Sequence, residues 1–149
     1  MAVDLAERFR ARREARFHIQ VRLESIPSAI ATPGEVRVAG RVTRLFRSKG
    51  DLTVGDPVAF TLRVYQRGEH VPPGVAYLLE GDLRRAEYIE AFLNGKPPNC
   101  EVPLEEYALL AGPQANASMT IGDREVRLNA GATSMTNPRC RRWWRFWAD

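Results

Sequence analysis

The sequence predicts a mainly β protein: a small barrel or sandwich of five to six strands, with one or two short helices and flexible termini. Two observations predict it. Apolar residues recur with period two over several separate stretches. Segments rich in Gly and Pro punctuate those stretches at the spacing of an all-β domain.

The first stretch is Phe17, Ile19, Val21 and Leu23, alternating with His18, Gln20, Arg22 and Glu24. Successive strand side chains point to opposite faces, so this reads as a strand with one apolar face and one wet face. Ser25 to Gly34 is turn-rich, with Pro27 and Pro33. Val36, Val38, Gly40 and Val42 make the second strand; the phase slips before Leu45, which a bulge near Gly40 to Arg44 explains. Leu52 and Val54 read as a short added strand. Val58, Phe60, Leu62 and Val64 give the clearest strand, and Val75 to Glu80 a further one. Leu83 to Asn94 reads equally as a helix capped by Asp82 or as a strand entering an Asn94-Gly95 turn. Pro103 to Glu106 has the composition of a helix first turn, and Tyr107 to Leu110 continues apolar until Gly112-Pro113. Met119 to Leu128 reads as a terminal hairpin. The expected core is Phe17, Ile19, Val21, Val36, Val38, Val42, Phe60, Leu62 and Val64.

The order of a long first strand, a bulged second, a third, an intervening element and closing strands resembles an OB-fold over about residues 15–112. The resemblance is one of strand pattern. It implies a barrel whose second and third strands offer an outer face of the kind that takes single strands and oligosaccharides.

The 149 residues divide into a basic N-terminal arm or short helix at 1–14, a barrel-like domain at 15–128 and a polar linker and tail at 129–149. A small-residue linker at 113–118 precedes the hairpin. Hydrophobic residues make up 44% and charged residues 27%, an ordinary globular profile. No apolar run reaches the roughly 20 residues of a membrane-spanning helix, and Met1 to Arg16 lacks the apolar stretch of a secretory signal, so the expectation is a cytoplasmic protein. The net charge of +4 belongs to the two ends, while the middle is nearly neutral. Twenty of the 22 basic residues are Arg, the side chain better suited to bidentate and stacking contacts.

The sequence carries no recognisable catalytic motif, and catalytic, metal and cofactor residues are all expected to be none. Cys100 and Cys140 stand 40 positions apart with no CxxC, which suits one buried thiol and one tail thiol. His18 and His70 read as exposed histidines, and Glu87, Glu90, Glu101, Glu105 and Glu106 as a solvated acidic face. Glu69, His70, Glu80 and Asp82 are a weaker candidate, a loop-borne acid/base group.

Two segments are candidates for binding. Arg37, Arg41, Arg63 and Tyr65 share the non-core sides of the second and third strands and form a basic, partly aromatic face suited to single-stranded nucleic acid. Arg141, Arg142, Trp143, Trp144, Arg145, Phe146 and Trp147 form a tail anchor. Indoles settle at a lipid headgroup interface and guanidiniums attract anionic lipid, while the same residues anchor protein contacts. The expected function is a non-enzymatic binding or assembly module. It would use its β domain and tail for contact with a protein partner, a second copy or an anionic membrane surface. An OB-type single-stranded nucleic-acid-binding protein is the second reading.

Overall fold

The computed structural model describes residues 4–74 and 76–119. The expected hairpin at 119–128, the polar linker and the Arg/Trp tail lie outside the described residues, apart from Met119.

Among the described residues, seven strands and two helices follow in the order α1 (Leu5–Glu14), β1 (Phe17–Ser25), β2 (Gly34–Ser48), β3 (Pro57–Tyr65), β4 (Leu78–Leu79), α2 (Glu80–Arg85), β5 (Tyr88–Lys96), β6 (Asn99–Glu101) and β7 (Tyr107–Leu110). A 3-10 turn at Pro103–Glu105 precedes β7. The sheet runs β1-β2-β3-β6-β5 and closes when β5 pairs with β1, giving a five-stranded barrel. All closing pairs are antiparallel except β3 with β6. The short strand β4 lies along β3 and β7 along β5, outside the closed ring.

Period-two alternation explains the inside of the barrel. The nine residues expected in the core are all buried, and Leu52, Val58, Leu83, Ile89, Ala91, Leu93 and Cys100 join them. The phase slip in β2 is a pair of bulges: Phe46 and Thr43 each have no partner opposite on β1, so Leu45 and Val42 both face inward. Gly40 packs tightly against β1, and a Cβ there would meet the Arg22 carbonyl oxygen at 2.1 Å. Only glycine permits that approach.

Several expectations are corrected. Leu52 and Val54 form no strand; Leu52 plugs the core from a turn while Val54 is exposed. The strand at 75–80 shrinks to Leu78–Leu79 because Glu80 begins a helix. The ambiguous 83–94 segment is both helix and strand, with Ala86 capping α2 before Tyr88 opens β5. After Pro103 only a single 3-10 turn forms, and Tyr107 to Leu110 is a strand because β5 offers it an open edge. The outer face of β1 is wet only at Arg22 and Glu24: His18 and Gln20 are buried as fully as their apolar neighbours. Glu90 and Glu106, assigned to a solvated acidic face, are completely buried. Sequence alternation reports only the inner face; here a helix and a strap cover part of the outer one.

The helix is α1. Asp4 caps its N-terminus through Ala6 N, and Glu7, Arg12 and Arg13 complement its dipole. It buries no residue of its own. It is held by ion pairs instead: Arg8 and Arg12 each bond one oxygen of Glu106. Arg47 of β2 caps its last turn through the Arg12 and Ala15 carbonyls, and Lys49 Nζ donates to the Arg13 carbonyl at 3.1 Å. Among the described residues, no helix is long and apolar enough to cross a membrane.

Candidate functional site

The outer side of β2 and β3 is built by ladder register. Glu35 lies opposite Arg63, Arg37 opposite Thr61, and Arg41 opposite Pro57. Because Val36, Val38, Phe60, Leu62 and Val64 point inward, Arg37, Arg41, Arg63 and Tyr65 all point outward. The structure thus places the four expected residues on one outer surface, but it also supplies counter-charges. Arg63 stands 3.6 Å from Glu35 and 3.8 Å from Glu105. Arg41 stands 3.4 Å from Glu24 and donates to the Gly55 carbonyl at 3.1 Å. Arg37 bonds the Asn99 side chain. Tyr65 meets Tyr77 edge to face, with centroids 6.5 Å apart. The face is therefore close to neutral.

Glu105 is the unusual member. It and Leu104 hold left-handed backbone, with φ of 54° and 50°, which costs of order 1–3 kcal/mol each for side-chain-bearing residues. Its Oε2 is buried without a hydrogen-bond partner among the described residues. Burial pushes its carboxyl pKa up; Arg63 opposes that shift and Glu35 reinforces it. Tyr107 nearby is pushed up to about 12, first by burial and then by Glu105.

On the other side of the barrel, a strap at 114–119 crosses the outer faces of β1 and β5. Gln114 N donates to Gln20 Oε1 at 2.7 Å. Glu90 accepts from Ser118 N at 2.8 Å, Ser118 Oγ at 2.5 Å and Met119 N at 3.0 Å. His18 Nε2 completes the set at 2.7 Å from Glu90 Oε1. Burial alone would raise the Glu90 pKa, but the bonds from His18, Ser118 and Met119 outweigh it and hold the carboxyl below its ordinary range. Phe92 stacks on the His18 ring at 3.9 Å, and Arg12 and Arg47 lie over Phe92. A nucleophile–base–acid relay needs the histidine between the hydroxyl and the carboxylate. Here the carboxylate lies between His18 and Ser118, so its work is to fasten the strap.

The loop candidates do not converge. Glu69 accepts from Thr32 Oγ1 and Gln66 N. Glu80 takes Gln66 and Arg84, and Asp82 takes Arg85, while His70 is exposed. Cys100 is a free, buried thiol whose pKa burial raises, against opposition from Arg16 and Arg37. The tail anchor Arg141–Trp147 lies outside the described residues. Sequence reasoning missed Arg8, Arg12 and Ser118 as partners of buried carboxylates. For Glu90 the one available signal was its parity with Tyr88 and Phe92. No known family model matches the chain, and no curated protein matches its sequence.

Proposed function

We propose that the chain is a non-enzymatic binding or assembly module: a barrel of OB type whose outer strand surfaces, together with Arg141–Trp147, contact a protein partner, a second copy or an anionic membrane surface. The strand order carries this reading. The ring β1-β2-β3-β6-β5 with β3 and β6 parallel, and α2 inserted before β5, supports it, because small Greek-key barrels bind ligands on outer strands and adjoining loops. The use of Glu90 and Glu106 to fasten a strap and a helix supports it, since both carboxylates serve attachment.

Tryptophan emission tests the contact, because all three Trp residues of the chain lie at 143, 144 and 147. Blue-shifted emission in lipid-free buffer is the outcome expected of seating on protein, with sedimentation velocity reading whether a second copy is involved. A shift that needs anionic vesicles assigns the membrane surface. Water-like emission under both conditions from a monomer refutes the tail's part in the module.

A second reading, single-stranded nucleic-acid binding, is favoured by one observation: outward arginines line adjacent strands of the barrel with tyrosines beside them. Binding to labelled single strands that weakens as salt rises is its expected signature, because neutralised phosphates release counterions.

A further inference from the structure

Positive charge without a counter-ion also sits beside the surface the sequence singled out, on β1 and the far half of β2. Across the β1–β2 ladder Arg22 lies opposite Arg41, and Gln20 opposite Arg44. On the other side of β1, Arg22 lies opposite Tyr88 of β5. Opposed ladder residues share a face with Cβ atoms roughly 5 Å apart. Arg22, Arg41 and Arg44 therefore form a strip with Tyr88 along one edge. All three arginines are exposed and Tyr88 is half-buried. Arg41 is shared with Glu24, whereas Arg22 and Arg44 have no hydrogen-bond or ion-pair partner among the described residues. Like charges directly opposite in a ladder are destabilising. Glu24 offsets only one of the three, which leaves a surplus that an anion would neutralise. Arg44 also borders a cleft of about 330 Å³ whose other walls are Thr43, Leu45, Phe46, Val54 and Ala115.

We propose that this strip binds single-stranded nucleic acid, with phosphates on Arg22, Arg41 and Arg44 and unpaired bases on Tyr88 and in the Phe46–Val54 cleft. The proposal rests on the second reading above and moves its site from the β2–β3 face to β1–β2. Three features select a single strand. The strip is a sheet surface, with no projecting helix or ribbon to enter a duplex groove. An aromatic ring and an apolar cleft flank the guanidiniums, where bases that are not paired can stack. Insertion at a bilayer interface calls for a broad apolar face beneath the charges, and here the exposed apolar wall is confined to one cleft.

The test is fluorescence anisotropy of labelled oligo(dT) with the full chain across a salt series. The Arg22→Gln/Arg44→Gln variant is expected to bind on the order of tenfold more weakly at low salt. Its slope of log affinity against log salt should be shallower by about 1.4, the value for two lost phosphate contacts on a single strand. The Arg37→Gln/Arg63→Gln variant should match the parent. The Arg-rich tail is common to all three proteins, so differences among them report the barrel. Photo-crosslinking to a thiouridine-bearing oligo(U) should mark peptides that contain Tyr88 or Phe46. Equal affinity and slope in the Arg22/Arg44 variant, a loss confined to the Arg37/Arg63 variant, or adducts found only in residues 139–149 would overturn the proposal. Absence of oligonucleotide binding by the parent would also overturn it. The module itself would survive that result if self-association or vesicle binding persisted.

Discussion

His18 and Glu90 are diagonal neighbours across the β1–β5 ladder. His18 lies opposite Phe92 and Glu90 opposite Gln20, yet the imidazole Nε2 reaches the carboxylate at 2.7 Å. An ionised carboxylate has only lone pairs to offer, so Nε2 is the donor. With Ser118 and Met119 supplying three more donors, one buried anion ties two strands to the strap.

Glu90→Gln is therefore expected to destabilise the protein by roughly 3 kcal/mol, because it weakens several charge-assisted bonds at a buried site. Backbone amides at 114–119 should lose hydrogen-exchange protection before those of β1. The pH dependence follows from the lowered pKa. The Glu90 contribution is full above the unfolded carboxylate value, roughly pH 4.3, and is lost as pH falls through the lower folded value. Chemical denaturation of parent and variant across acid pH should show their difference shrinking toward low pH. A constant difference would refute the assignment.

Glu106 holds α1 as Glu90 holds the strap. The carboxylate is fully buried and carries both Arg8 and Arg12. Since α1 buries no side chain of its own, Glu106→Gln should release it. The expected cost is roughly 3–5 kcal/mol, as for removing one partner of a buried ion pair. Trypsin should then cut early at Arg10 and Arg13, which mass spectrometry reads directly. Unchanged cleavage there would mean that Arg47 and Lys49, which bind the carbonyls of the last turn, suffice to hold the helix.

Glu105 should behave in the opposite way. Its folded pKa is raised by burial, so ionisation costs stability once pH passes the unfolded value. Glu105→Gln is expected to stabilise the protein by about 1 kcal/mol at neutral pH, by removing a poorly satisfied buried charge. The gain should vanish in acid, where both side chains are neutral. Thermal unfolding at neutral and acid pH checks the sign, and destabilisation at neutral pH would show that Arg63 depends on this charge.

Phe60 is completely buried at the centre of β3, opposite Val38. Phe60→Ala should cost roughly 3–5 kcal/mol, the lost transfer energy plus a cavity. Urea denaturation measures it, and a loss under about 1 kcal/mol would contradict the inward placement of this strand face.

Period-two alternation by itself determined the strands β1, β2 and β3, their inner faces and the bulge in β2. A strand side chain's direction is fixed by parity along the chain. It also put Arg37, Arg41, Arg63 and Tyr65 outward, where the structure has them. What covers an outer face is a property of residues far away in sequence. Glu90 meets Ser118 and Glu106 meets Arg8 only after the barrel closes, so parity with Tyr88 and Phe92 was the one local hint for Glu90 and no local pattern marked Glu106. The same holds for charge: Arg63 is compensated by Glu105 from a loop 42 positions on, while Arg22 faces Arg41 because β1 folds back on β2. Composition counted these guanidiniums, but ladder register, which sets distance and hence Coulomb energy, decided which were already paired.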